Sequence, residues 1–168
     1  MFLEGHDEVW GFEYMWDPLM DFIDGRMHNL YYYNLAYEKP LYLHIDLARD
    51  NDNAAVFWYA ASTVRHLGVG NYGALSTRRK AQARRNVSIY KRYQRYFSNG
   101  AFSGPDHLTH IHSLKGKGAV IVRFNDTECP VRGSFDISAS SVGLSAPPRI
   151  LRTLHGQKGI VSGSGDKI

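Results

Sequence analysis

The hydrophobic pattern of this chain changes its period near Gly100. Before that point, Pro40-Leu41-Tyr42-Leu43-His44-Ile45-Asp46-Leu47 is apolar almost without a break. Such a run predicts a strand covered on both faces, and strands of that kind are usually parallel and flanked by helices. The polar cluster Arg49-Asp50-Asn51-Asp52-Asn53 then offers several N-cap residues. Ala54 to His66 is apolar nearly all the way round, as in a helix packed between layers. Leu67-Gly68-Val69-Gly70 follows as a short second strand. Together these predict a strand–helix–strand unit, in which chemistry gathers where the strands end.

The flanks extend the same pattern. Val9-Trp10-Gly11-Phe12 predicts a short strand, and Met27 to Tyr37 a helix. Residues 77–97 give the longest helix, with Ser76 as N-cap and Gly100 beyond its end. Its apolar stripe runs through Ala83, Val87, Tyr90, Gln94 and Phe97, widened by Ala81, Ile89, Tyr93 and Tyr96. Beyond Gly100 the period becomes that of strands. His107–Leu114 and Ala119–Asn125 predict a hairpin about the turn Lys115–Gly118. Val131–Ile137 predicts a third strand, Val142–Leu144 and Arg149–Leu154 short edges, and the Gly/Ser-rich run from Gly156 a frayed tail. The expected organisation is an α/β part over residues 1–100 and an antiparallel β part over 101–168.

Composition narrows the classes. The chain has 168 residues, 43% of them hydrophobic and 13% aromatic, enough for one ordinary domain or two small ones. The single cysteine, Cys129, excludes an intramolecular disulfide. No apolar run reaches the length of a membrane span. The start, MFLEGHDEVW, has neither the basic region nor the apolar core of a signal peptide, so a cytoplasmic location is the expectation. Charge is uneven: 11 of the 16 acidic residues precede Asn53, and none lies between Asn53 and Pro105.

Four carboxylates fall at predicted strand ends: Glu13, Asp17, Asp46 and Asp50. Glycoside cleavage needs two carboxyl groups across one bond, one to protonate the leaving oxygen and one to attack or activate water. Capping explains Asp17 and Asp50 as simply, and a solvated surface explains Glu13. His110 and His112 alternate on a strand and could chelate a metal, but the acid that a cupin-like motif needs after them is absent, so no metal and no cofactor is assigned. The basic helix 77–97, with Tyr90, Tyr93 and Tyr96 interleaved, has the residue types of a nucleic-acid grip. A solvated face over a buried aromatic stripe explains the same residues and is the preferred reading. Ser62 and Ser134 lack a nucleophile elbow.

The stretch LSTRRKAQARRNVSIYKRYQRYFSNGAFSG, Leu75 to Gly104, resembles the last barrel helix of melibiase-type α-galactosidases. Leu75-Ser76, Tyr90-Lys91, Gln94 and Gly100-Ala101-Phe102 fill the family pattern, with Ser103 in place of its usual Tyr. Val122-Arg123-Phe124-Asn125 and Pro130-Val131 look like the β-sandwich that follows the barrel in those enzymes. The resemblance implies the last part of a (β/α)8 barrel joined to a small, incomplete antiparallel β-sandwich. Residues 9–12, 40–47 and 67–70 would be strands six, seven and eight.

On this resemblance Glu13, three residues after Trp10, is nominated as catalytic acid/base where the family has Asp, with Asp17 as backup or substrate contact. His44 and Asp46 would bind sugar hydroxyls, and Trp16 or Tyr72 would stack on a ring. The implied activity is retaining hydrolysis of O-glycosidic bonds, with an oligosaccharide or glycoside as substrate. The family nucleophile lies on strand four, so the chain is expected to be a fragment, inactive without the missing N-terminal barrel half as its partner. The alternative is a non-catalytic carbohydrate-binding or degenerate barrel protein.

Overall fold

The computed structural model describes residues 9–10, 28–36, 41–46, 54–64, 66–70, 72–127, 129–130, 138–145, 151–152 and 158–159. The chain is mixed α/β. Strands β1 (Val9–Trp10), β2 (Leu41–Asp46) and β3 (His66–Gly70) form a parallel sheet in that order. Val9 pairs with Leu41 and Trp10 with Tyr42. The β2–β3 ladder runs from Tyr42 opposite His66 to Asp46 opposite Gly70. Parallel neighbours need a crossover. Helix α1 (His28–Ala36) lies in the first crossover and α2 (Ala54–Thr63) in the second. Expected to reach His66, α2 instead stops at Thr63, and His66 opens β3.

Every residue from Phe57 to Val64 is buried, as the all-round apolar pattern of α2 requires. The long helix α3 spans Thr77–Asn99, two residues beyond the predicted end. Ser76 caps it, its Oγ accepting from Arg79 N at 3.4 Å. The buried face is Ala83, Asn86, Ile89, Tyr90, Tyr96 and Phe97. Gln94 and Ala81, expected on that stripe, are exposed. Gly100 ends the helix for a reason other than a left-handed turn. Its φ is −75°, which any residue adopts. Its amide donates to Tyr96 O at 2.9 Å, and a Cβ there would meet that same carbonyl at 2.3 Å. Close approach, and not backbone freedom, selects glycine here.

A second sheet follows at once, antiparallel, in the order β4 (Ala101–Ser103), β5 (Thr109–Leu114), β6 (Gly118–Arg123). β4 was not expected from the hydrophobic pattern. Nor does β5 begin at His107. Asp106 folds the preceding residues into a turn, its Oδ1 accepting from Leu108 N at 3.0 Å and from Thr109 Oγ1 at 2.8 Å. Arg123 Nη1 pairs with Asp106 Oδ2 at 3.0 Å, tying that turn to the end of β6. Residues 115–117 make the hairpin turn, with Gly116 at φ 71°. The expected edge at Val142–Leu144 is instead a 3-10 turn, Ser140–Val142, closed by Gly143 at φ 72°. β7 (Leu151–Arg152) and β8 (Lys158–Gly159) pair antiparallel. The strand expected at Val131–Ile137 lies outside the described residues.

One hydrophobic core joins the two sheets' surroundings. It takes Phe57, Trp58 and Tyr59 from α2, Ile89, Tyr90 and Phe97 from α3, and Val120, Val122 and Phe124 from β6 and just beyond it. Phe97 is wholly buried, stacked on Tyr90 at 5.2 Å and tilted against Trp58 at 6.4 Å. A ring so buried contributes roughly 1.5–3 kcal/mol. Among the described residues no helix is long and apolar enough to cross a membrane.

The tight glycines yield a stability prediction. A Cβ at Gly104 would meet Thr109 O at 2.0 Å, whereas one at Gly73 would meet nothing within 4 Å. Gly100→Ala and Gly104→Ala are each expected to lower unfolding free energy by ~1–3 kcal/mol. Gly73→Ala should stay within about 0.5 kcal/mol of the parent. Urea titration of the three variants checks this, and a Gly100→Ala protein as stable as the parent contradicts it.

Candidate functional site

Two places gather chemistry: the carboxyl end of the parallel sheet, and a polar seam buried between α2 and β5. At the first, Asp46 is the last residue of β2 and stands opposite Gly70, the last of β3. His44 lies two rungs earlier, opposite Gly68. Trp10 is level with Tyr42. Glu13, Trp16 and Asp17 lie outside the described residues.

Tyr72 follows β3 in a 3-10 turn, Tyr72–Ala74. It is half-buried and packs against the main core. Arg84 of α3 donates from Nε to the Tyr72 hydroxyl at 2.5 Å, and its guanidinium carbon sits 5.9 Å from the ring centre. So α3 fixes the orientation of the ring that leaves β3. Of the residues nominated from sequence, the described sheet brings His44 and Asp46 onto one strand and places Tyr72 just past the next.

The seam begins with the helix end. The last carbonyls of a helix have no partner within it, and a buried end must find partners elsewhere. Ser62 and Thr63, at the end of α2, are wholly buried. His112 Nε2 donates to Ser62 O at 2.5 Å. Asn34 Nδ2, from α1, donates to Thr63 O. Thr63 Oγ1 turns back to donate to Tyr59 O at 2.6 Å. Side chains from a helix and a strand thus cap the same buried terminus.

His110 completes the seam. Its Nε2 donates to His107 O at 3.0 Å, since a carbonyl only accepts. Its Nδ1 must then be the bare nitrogen, and Ser62 Oγ–H donates to it at 2.6 Å. Aromatic rings close around it: Tyr59 at 4.7 Å, Phe124 at 5.1 Å, Tyr31 at 5.5 Å and Phe102 at 5.6 Å. Burial is the main force pushing its pKa down, to about 3. The charge of His112 pushes the same way, and the His107 carbonyl pushes back.

A serine hydroxyl donating to a neutral imidazole is the nucleophile–base pair of a catalytic triad. Here both residues are wholly buried and the second imidazole nitrogen meets a carbonyl where a triad would have a carboxylate. The arrangement holds structure together and offers no substrate a way to the hydroxyl. His110-x-His112 does share one face of β5, as the alternation implied, but each Nε2 is committed to a backbone carbonyl. A second histidine pair, His28 and His107, has ring centres 3.7 Å apart. Burial, and then the His107 charge, lower the His28 pKa, against the pull of Asp126. Among the described residues no three metal-binding side chains converge.

The seam escaped the sequence because its partners come from three separated segments. The signal available was the pair of histidines at alternate positions of β5, which a buried polar network explains as well as a metal does.

Acid should weaken the fold in a defined window. His110 takes up a proton near its ordinary 6.5 when unfolded and only near 3 when folded. Its neutral form stabilises the fold fully above pH 6.5, and that contribution is lost as pH falls from 6.5 toward 3. The limiting slope is ~1.4 kcal/mol per pH unit. Urea unfolding at successive pH values checks the slope, and a His110→Phe variant should show a flatter profile over the same range. An identical profile for the variant contradicts the assignment. Comparison of the chain with protein-family models, curated proteins and solved structures finds no match to any.

Proposed function

We propose that this chain is the carbohydrate-processing end of a retaining glycoside hydrolase of the α-galactosidase type, a partial (β/α)8 barrel running into an antiparallel β-sandwich. The observation that carries the reading is the parallel sheet β1-β2-β3, hydrogen-bonded in chain order with a helix in each crossover. That is the order the family resemblance gives to strands six, seven and eight. The capped helix α3 and the antiparallel β4-β5-β6 then follow in the family's sequence of elements.

In this reading Asp46, ending β2, and His44 hydrogen-bond sugar hydroxyls. Tyr72, its orientation fixed by Arg84, faces the sugar ring at the end of β3. Glu13 donates a proton to the glycosidic oxygen and then takes one from water. Its neighbours Phe12, Tyr14 and Trp16 are the residue types that raise a carboxyl pKa by desolvation. Closing a barrel takes more strands than these three, and the nucleophile belongs to one of the others.

The chain alone should therefore leave aryl α-galactosides intact. Joined to a barrel half that supplies the remaining strands, it should turn them over. There Glu13→Gln is expected to lower kcat by ~10²–10⁴ while substrate still binds. Turnover by the isolated chain, or undiminished kcat in the Glu13→Gln assembly, would contradict the proposal. An assembly that binds the glycoside but turns none over even before the substitution would point to the non-catalytic sugar-binding alternative.

A further inference from the structure

The charge on α3 is placed against the helix's own stability. Eight of its residues are Arg or Lys and none is acidic. Arg78, Arg79 and Lys80 occupy the first turn, where the helix dipole disfavours cations. Lys80 with Arg84, and Lys91 with Arg95, are like-charge pairs at i, i+4, which also destabilise a helix. No acid within α3 offsets them.

The cations are also on display. Arg78, Arg84, Arg85, Lys91, Arg92 and Arg95 are exposed. Opposite them, Tyr90 and Tyr96 are buried in the core. A second element extends the same surface. The Arg95 guanidinium lies 5.0 Å from the Tyr96 ring centre, and its Nη2 donates to the Tyr96 hydroxyl at 3.4 Å. That hydroxyl donates in turn to Lys117 O at 3.4 Å. The C-terminal half of α3 and the β5–β6 turn are thereby held side by side, and Lys115 and Lys117 of that turn are both exposed. Between residues 72 and 127 the described acids are Asp106 and Asp126, and Asp106 is paired with Arg123.

We propose that this face, α3 from Arg78 to Arg95 with the Lys115–Lys117 turn, docks on the phosphate backbone of a nucleic-acid duplex. Charge complementarity names a polyanion, and geometry selects the duplex. Single-strand binders rely on exposed aromatic rings to stack bases, and the tyrosines of α3 face inward. What remains is a rigid row of cations about 25 Å long. A duplex carries one charge per ~1.7 Å of axis, so roughly 15 phosphate charges lie along that length. Contacts of this kind read backbone and not bases, so binding is independent of sequence. This inference does not rest on the glycosidase reading: the ligand is different, and of this face only Arg84 enters that reading.

The test is fluorescence anisotropy of the whole chain with a labelled duplex of roughly 20 base pairs, which at ~3.4 Å per pair is long enough to cover the whole row. With about four phosphates engaged, affinity should fall ~100-fold between 50 and 200 mM salt. Lys91→Gln/Arg92→Gln should weaken binding at least ~10-fold at low salt, and Lys115→Gln/Lys117→Gln should also weaken it, with unchanged circular dichroism and melting no lower than the parent's. Absence of binding at low salt overturns the proposal, and so does binding indifferent to salt or to both double variants. Polyglutamate competing as well as duplex at equal charge, or anionic vesicles binding more tightly, overturns the assignment to nucleic acid.

Discussion

A helix that ends inside a protein must have its last carbonyls answered there, and the fold depends on how α2 meets that demand. Water cannot reach the buried carbonyls of Ser62 and Thr63. His112 of β5 and Asn34 of α1 supply the donors. The Ser62 hydroxyl then donates to His110, which passes the chain of bonds on to the His107 carbonyl. Leaving one such group unsatisfied costs about 1–3 kcal/mol, comparable with burying a whole apolar side chain. Three segments distant in sequence therefore converge on one helix end, which ties the antiparallel sheet, through β5, to α2 and α1.

The surrounding rings make the seam work. His110 sits among Tyr31, Tyr59, Phe102 and Phe124, where an imidazolium is costly and a neutral ring is not. Neutrality leaves Nδ1 able to accept and Nε2 able to donate, which is the pair of roles the seam requires. Among the described residues, Tyr31, Tyr59, Phe102 and Phe124 line this interior, and Trp58, Phe97 and Tyr90 meet in the main core.

Much of the fold was legible because it is local. The apolar run at 40–47 and the all-round apolar stretch from Ala54 gave a strand and a buried helix, and Ser76 gave the start of α3. Less legible was whatever depends on tertiary partners. β4 is three residues long, too short for a period to show. The start of β5 is set by the side chain of Asp106 bonding to Leu108 and Thr109. Val142 looked like an edge strand by its neighbours, but Gly143 in the left-handed region turns the chain there. At the candidate site Asp46 was legible from its place at a strand end, and the parallel register places it at the end of β2 beside Gly70, whereas Tyr72 was nominated on the family resemblance. The bond from Arg84 to Tyr72 could not be read, since it depends on how α3 lies against the loop after β3.

The most direct measurement is a double-mutant cycle on the seam. Ser62→Ala, His110→Phe and the double variant are unfolded in urea at pH 8, where imidazole protonation plays no part. If the Ser62 hydroxyl and the His110 ring act as one bonded pair, the two changes are non-additive by at least ~1 kcal/mol. Effects that add to within ~0.5 kcal/mol would mean that the two residues contribute separately, and that the link drawn here between α2 and β5 does not hold the fold.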